Sequence, residues 1–419
     1  MREMKDSGIE WIGEIPAGWK VSKVKHFIKC LDGRRKPIDA SLRKSGIYPY
    51  WGAGSIVDYI DEYLFDEEVI LLGEDGAPFF DYTRPVSFLV NEKVWVNNHI
   101  HVLKPDSKNV DSVFLVYWLN NVDYKTYING SILCKLTQSN MNNIAVAVPP
   151  LADQHRISTY LDTKCEKIDS IIARQQEVIE KLKAYKLSVI TEAVTKGLNP
   201  DVRMKDSGVE WIGDVPEHWE LIRLKFLLAN IVDCPHETPN YSFEAKYHVI
   251  RTADQELGSL RSDDNMYRLD EEEYQKRIRR LSLDKDDIVY GREGERWGLA
   301  CIVPESDKYC LGQRMMQFRC NTKLIIPKFA MWALNSKYVY LQGSVDTIGS
   351  TSPHVNISTM RNYFIPTPPM EEQSEIMNYL DKKCSAIDSA IAKKQAIIEK
   401  LTAYKKSLIY EVVTGKREV

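Results

Sequence analysis

PPLADQHRISTYLDTKCEKIDSIIARQQEVIEKLKAYKLSVITEAVT runs from Pro149 to Thr195, and PPMEEQSEIMNYLDKKCSAIDSAIAKKQAIIEKLTAYKKSLIYEVVT runs from Pro368 to Thr414. The offset between the two is 219 residues. Each opens on a double proline, which suits the entry to a helix but not its interior, and each is followed by a glycine, Gly197 or Gly415. Apolar residues recur at alternating steps of four and three: Leu161, Cys165, Ile168, Ile172, then Ile179, Leu182 and Val189. The second copy repeats them as Leu380, Cys384, Ile387, Ile391, Ile398, Leu401 and Leu408. That spacing is the seam of a coiled coil. Two seam positions are polar in both copies, Gln175 and Lys186 against Lys394 and Lys405. Polar seam residues lower stability and fix register and partner. From Leu151 to Val194 the helix would run about 65 Å at ~1.5 Å per residue. Two matching seams in one chain are expected to pair with each other.

A second, shorter repeat stands upstream of each helix. MKDSGIEWIGEIPAGW (Met4–Trp19) returns as MKDSGVEWIGDVPEHW (Met204–Trp219) at an offset of 200. The chain is therefore two similar halves, the second carrying 19 extra residues between its repeated blocks. So long a period excludes a short-repeat solenoid. The order is cyclic: motif, insert, helix, motif, insert, helix. The first motif supplies what would otherwise be missing after the last helix. Such a chain can close on itself about a pseudo-two-fold axis, with antiparallel helices and the inserts sent to opposite ends.

The expected divisions are 1–148 (first motif and insert), 149–198 (central helix), 199–367 (second motif and insert) and 368–419 (distal helix). The inserts share little sequence until Gly130, Met141 and Asn143 fall opposite Gly349, Met360 and Asn362. Both inserts read as mixed α/β. GIYPYWGAGSIVDYI, EEVILLGEDGAPFF, PVSFLV and KVWVNNHIHVLK are strand-like in the first, as are YHVIRTADQ, DDIVYGREGERWGLACIVP and RMMQFRC in the second. A short helical pattern follows in each, SVFLVYWLNN and PKFAMWALNS. The fold class is α+β.

The 419 residues carry a net charge of −3, which excludes a protein coated in positive charge but not local basic grooves. No apolar run is long enough to span a membrane. No apolar leader stands at the N-terminus, and the eight cysteines form no CxxC pair, so reduced thiols and a cytoplasmic location are expected and a zinc site is not.

The chain resembles the specificity subunit of type I restriction–modification enzymes. The resemblance rests on IEWIGEIPAGW and its repeat, YPYWGAGSIVDYIDEY, LLGEDGA, VNNHIHVLK, DIVYGREGERWG, LGQRMMQF, and the PPLADQ and PPMEEQ helix openings. It covers essentially the whole chain and lies in the order of these words. It implies that each insert is a target recognition domain reading one half of a split, asymmetric DNA sequence. The helices would then set the distance between the halves. The implied partners are double-stranded DNA, two methyltransferase subunits and restriction subunits. S-adenosylmethionine, ATP and Mg would sit on those partners, and this chain would be non-catalytic.

DNA reading needs cations for phosphates and fork-shaped or amide side chains for base edges. In the first insert the candidates are Arg34, Arg35, Lys36, Asn97, Asn98, His99, Lys135, Gln138 and Asn140. In the second they are His236, Thr238, Arg251, Arg292, Arg296, Gln313, Arg314, His354 and Asn356. Arg292 and Arg296 lead. Tyr48, Tyr50 and Trp51 read as core or turn packing, His101 as buried and satisfied, and Gly73 and Gly76 as a turn. Trp11, Ile12, Trp19, Trp211, Ile212 and Trp219 are the candidates for partner binding, although for Ile12, Trp19, Ile212 and Trp219 packing against the helix ends is the plainer reading.

The Pro-Pro pairs are followed by aliphatics (VPPL, TPPM), where an adenine methyltransferase would carry Asn or Asp before them and an aromatic after. There is no GxxxxGK[ST] loop for ATP. Glu244-Ala-Lys246 matches a nuclease ExK fragment, but so short a match arises by chance. Three alternatives stay open: a self-contained DNA-modifying enzyme, a protein-binding coiled-coil scaffold, and the recognition module of another modification or phage-defence system. The target bases are not readable from the sequence.

Overall fold

The computed structural model describes residues 2–81, 83–128, 134–242, 244–294, 296–345 and 354–419. Gly130, Gly349 and residues 350–353, which precede the candidates His354 and Asn356, lie outside these. The chain divides into two compact units. One comprises residues up to Gln175 with Ala396–Val419, the other Gln176–Gln395.

The repeated segments are the helices α1 (Leu151–Lys196) and α2 (Met370–Val413). At 46 residues, α1 is about 69 Å long. Gly197 and Gly415 follow the helices in the left-handed backbone conformation, φ +74° and +72°. In the first unit Ile157, Leu161 and Ile168 of α1 share a core with Leu408, Val412 and Val413 of α2. In the second, Val189, Ile190, Ala193 and Val194 share one with Ile376, Leu380 and Cys384. In each unit the start of one helix thus meets the end of the other. Lys186 and Lys405, which share the second polar seam position, each find a carboxylate on the other helix. Lys186 Nζ lies 2.8 Å from Asp388, and Lys405 Nζ lies 2.7 Å from Asp169. Asp169 and Asp388 are also 219 apart, so the same contact is built once in each unit.

The short motifs fold as two-stranded hairpins, Met4–Asp6 with Glu14–Pro16 and Met204–Asp206 with Asp214–Pro216. Ile12 and Trp19 are buried in one core with the end of α2, and Ile212 and Trp219 in the other with the end of α1. Tyr410 Oη donates to the Trp11 carbonyl at 3.1 Å, and Lys416 Nζ to that of Ile12 at 2.6 Å. The first motif thus serves the last helix as the second motif serves the first helix.

The inserts, so unlike in sequence, share one frame. In the first unit β1 (Ile28–Cys30), β2 (Val69–Gly73), β3 (Ser87–Val90) and β4 (Ile100–Pro105) form an antiparallel sheet ordered β1-β4-β2-β3. In the second, β5 (Leu228–Asp233), β6 (Ile288–Gly291), β7 (Ala300–Ile302) and β8 (Met315–Cys320) are ordered β5-β8-β6-β7. Each unit adds a three-stranded mixed sheet. Its central strand, Ser45–Trp51 or Tyr247–Ile250, has one antiparallel and one parallel neighbour. The frame survives divergence because a sheet asks for apolar residues at buried positions, not for particular ones. The helix Glu271–Arg277 and the hairpin Gln255–Leu260 of the second insert have no counterpart among the described residues of the first.

The PPLADQ and PPMEEQ words have a structural cause. Gln154 and Gln373 are buried. The side-chain oxygen of Gln154 accepts from the Asp111 amide and that of Gln373 from the Ile326 amide, both at 2.8 Å. Their side-chain nitrogens donate to Pro149 O and Pro368 O. Each glutamine ties the helix entry to the sheet domain before it.

Candidate nucleic-acid interface

At one end of each four-stranded sheet the same loops converge, and most of the candidate residues stand on them. In the first unit they are 32–36 after β1, 74–76 after β2, 97–99 before β4, and 134–138. In the second they are 234–238 after β5, 292–294 and 296–297 after β6, 312–314 before β8, and 354–356. The backbone bonds that hold them match. Glu74 N donates to His99 O and Leu136 N to Glu74 O, while Arg292 N donates to Arg314 O and Val355 N to Arg292 O. The isolated bridge Asp75–Lys135 has its counterpart in Glu293–His354.

The loop after β2 and that after β6 are Gly73-Glu-Asp-Gly76 and Gly291-Arg-Glu-Gly294. Their first glycines sit where a Cβ would come within 2.3 Å of Ala77 Cβ or 2.7 Å of Gln255 Oε1. The second glycines hold φ of +70° and +85°, the region L side chains avoid. One turn is thus built twice, presenting Glu74 and Asp75 in one unit and Arg292 and Glu293 in the other.

The first rim is a network of acids and cations. Arg35 is mostly buried. Its guanidinium donates to Glu74 Oε2 at 2.5 Å, to Ile100 O at 2.9 Å and to Asp32 O at 3.1 Å. Arg34 binds Glu67 at 2.6 Å and lies over the Phe65 ring. His101 is buried with both ring nitrogens engaged, by Asp32 at 2.6 Å and Leu136 O at 2.8 Å. Burial pushes the Asp32 carboxyl up, but His101, the Val102 amide and Arg35 pull harder and hold it below the usual carboxylate range. Asp32, Glu74 and His101 gather as closely as metal ligands do, with Arg35 and Lys135 already facing the carboxylates.

The remaining candidates surround this network. His99 meets Asp75 at 2.5 Å, and Lys135 stands 3.3 Å from Glu74 and 3.6 Å from Asp75. Asn97 is buried and accepts from the His99 amide. Lys36 and Asn98 are exposed. Gln138 reaches Cys30, and Asn140 is turned inward onto the Tyr127 carbonyl.

The second rim uses the same contact with its charges exchanged. In the first unit a cation of the first loop, Arg35, meets an acid of the second, Glu74. Here an acid at the end of β5, Asp233, meets a cation of the second loop, Arg292, at 3.6 Å. Arg292 is largely buried and also pairs with Glu293 at 3.1 Å. His236 binds Asp233 at 2.8 Å. Arg296 is exposed and donates to Gln255 O at 3.1 Å. Arg251 is bound through two nitrogens to Asp254, both at 2.9 Å, and lies over the Tyr267 ring. Its guanidinium is thereby tied within the domain. Gln313 donates to Thr238 at 3.1 Å. Arg314 projects from the loop, and His354 and Asn356 stand on the fourth segment, where His354 bridges to Glu293. Residue types suited to phosphates and base edges do not include the acids Asp32, Glu74, Asp75, Asp233 and Glu293, which position the rim cations. For Glu74, Asp75 and Glu293 the repeated Gly-x-x-Gly carries the signal; Asp32 and Asp233 have none.

Among the partner candidates, Ile12, Trp19, Ile212 and Trp219 are buried in their own units, and Trp219 Nε1 donates to Glu372 at 2.7 Å. Trp11 packs on Trp118 and Tyr410. Trp211 alone of the six keeps 40 % of its surface exposed.

The model of the type I restriction modification DNA specificity domain matches this chain twice, over residues 16–181 and 216–402. The MjaVIII type I restriction enzyme specificity subunit of Methanocaldococcus jannaschii is 24 % identical over 97 % of this chain and 94 % of its own length. The EcoDI specificity subunit of Escherichia coli is 20 % identical over 93 % of this chain and 88 % of its own. A solved structure from work on assembly and conformational transition of the type I R-M system superposes with a TM-score of 0.67. It is 16 % identical and covers 96 % of this chain and 99 % of that one, a likeness of fold. The doubled match falls on the doubled frame, each copy taking in one sheet domain and its rim, and the chain belongs to the family of type I restriction–modification DNA specificity subunits.

Proposed function

We propose that the two rims read two unlike half-sites of one split DNA target, and that this chain delivers the target to subunits that methylate or cut it. The observation that carries the reading is the pair of matching four-loop rims bearing different side chains. Identical framing argues for one task performed twice. Different loop residues, with the loop-to-loop ion pair exchanged in sign, argue for two different sequences. Recognition domains within 1–148 and 199–367 would be spaced by the antiparallel pairing of α1 and α2 as a coiled coil. Phosphates would be met by exposed cations such as Lys36, Lys135 and Arg296, and base edges by Asn98, His99, Gln313 and Arg314.

Chemistry falls to the partners in this reading. Two methyltransferase subunits would dock on the two equivalent scaffolds, bringing S-adenosylmethionine. Restriction subunits would bring ATP and Mg. Mapping methylated sites in a host genome with and without the gene tests the reading, together with a chain whose residues 20–148 come from a relative. A split motif in which the exchange alters one half only is the expected result. A continuous or palindromic motif refutes it. Native mass measurement of the purified complex should show two methyltransferase subunits per chain, and a one-to-one complex would refute the two-scaffold reading.

A further inference from the structure

Of the rim arginines in the second unit, Arg314 differs from the rest in backbone and in side chain. Arg251 is spent on Asp254, Arg292 is largely buried between Asp233 and Glu293, and Arg296 donates to backbone carbonyls. The Arg314 side chain is 54 % exposed, and among the described residues its guanidinium makes no hydrogen bond. Among the described residues its one ion-pair partner is Glu293, whose Oε2 lies 3.7 Å from Nε, close enough to aim the side chain but too far for a hydrogen bond. Glu293 is itself anchored by Arg292.

The backbone adds an independent observation. Arg314 holds φ +67°, a left-handed conformation that disfavours every residue with a Cβ and suits glycine. Its counterpart in the first rim, His99, is not among the positive-φ residues. Arginine at such a position opposes stability. Strain of this kind clusters at ligand-binding and switch sites. The delivered group is a planar fork whose donors no described residue takes, beside the Gln313 amide on the neighbouring residue.

We propose that Arg314 reads a guanine in the half-site bound by the second recognition domain, by a two-pronged contact to O6 and N7 in the major groove, with Glu293 as the positioning residue. A planar fork of two donors matches the two acceptors that guanine alone presents there. The inference rests on the reading of the rims as DNA-binding, which the wild-type complex tests separately.

The decisive variant is Arg314→Gly. Removing the side chain while relieving the left-handed strain should leave the thermal midpoint of the purified chain unchanged or raised. In the assembled methyltransferase, methylation mapping should then show one guanine position of one half-site becoming degenerate, with discrimination there falling about tenfold or more. The other half-site should be unaffected. Arg314→Lys keeps the charge and loses the fork, so it should relax the same position. If Arg314 instead met a phosphate, both variants would keep the full motif, binding would weaken alike on all sequences, and the salt slope would fall by about one for the glycine variant. That outcome overturns the proposal. So does a lowered thermal midpoint for Arg314→Gly, which would make the residue structural. A wild-type complex with no split motif would overturn the reading of the rims itself, a result distinct from either variant's.

Discussion

Asp388→Ala and Asp169→Ala remove the same side chain from the two repeat-related ion pairs, yet their effects should differ. Lys186 is almost wholly inside the helix packing, with 9 % of its side chain exposed, while its partner Asp388 is 55 % exposed. Lys405 keeps 29 % exposed opposite Asp169 at 54 %. Taking the acid from a fully buried pair costs about 3–5 kcal/mol, because a charge is left uncompensated in a poor solvent. Asp388 is half in water, which screens the pair, so about 2 kcal/mol is the expected loss. The Asp169 pair is closer to a surface bridge and should contribute about 0.5 kcal/mol. Lys186→Met should cost less than Asp388→Ala, since it removes the buried charge and leaves Asp388 hydrated. Urea unfolding gives the costs, and hydrogen exchange localises them to the helix segment concerned. A double-mutant cycle should return coupling near 2 kcal/mol for Lys186–Asp388 and under about 1 for the other pair. Equal costs for the two aspartates, or Lys186→Met as harmful as Asp388→Ala, would refute the reasoning.

Gly415→Ala should destabilise more than Gly197→Ala: both add a Cβ at positive φ, but at 415 it would lie 2.5 Å from the Pro16 ring, against 3.1 Å from Trp219 at 197. A loss of about 2 kcal/mol or more is expected at 415, and thermal midpoints in the reverse order would count against docking of the first motif on the last helix. The Asp32 carboxyl is held below its ordinary value, so its stabilisation is present above pH ~4 and lost as pH falls through the lower folded value. Exchange of the Val102 amide, which donates to Asp32 at 2.9 Å, should therefore stay slow at pH 5, after correction for the intrinsic rate, and quicken at lower pH; protection unchanged down to pH 2 would contradict this. Inserting four residues after Ala173 adds roughly 6 Å of helix and should lengthen the unread spacer by one or two base pairs with both half-sites intact. An unchanged spacer on methylation mapping would refute the helix as a ruler.

The long helices were legible because a seven-residue pattern over some eight turns has few other readings, and because it is written twice. The cyclic arrangement was legible too, since Met4–Trp19 could be matched to Met204–Trp219 with no knowledge of contacts. The common frame of the inserts was not. Glu74 and Arg292 occupy one position of one turn with opposite charge, so alignment by residue likeness separates them. What joins them is a backbone bond from each to the residue before the last strand of the sheet, at His99 and Arg314. Likewise, Arg35 looked like a free cation beside Arg34 and Lys36. The acid that claims it is Glu74, 39 residues on, and no local pattern shows that pairing.

The acids also bear on how a chain of net charge −3 can serve as a DNA reader. Nonspecific affinity comes mainly from cations that exchange counterions for phosphates. In both rims most arginines already have a carboxylate or carbonyl in place, so a phosphate must displace a protein partner before it gains anything. That lowers affinity for arbitrary DNA. It costs less against a cognate site, where a base edge can satisfy a fork or an amide that the rim leaves open, as at Arg314 or Asn98. Rims of this kind favour discrimination over strength, and strength can be supplied by other subunits of the assembly without blurring the sequence read here. Two rims with their internal charges exchanged can follow that rule while presenting different surfaces, so the sheet frame could stay fixed as the loop residues diverged.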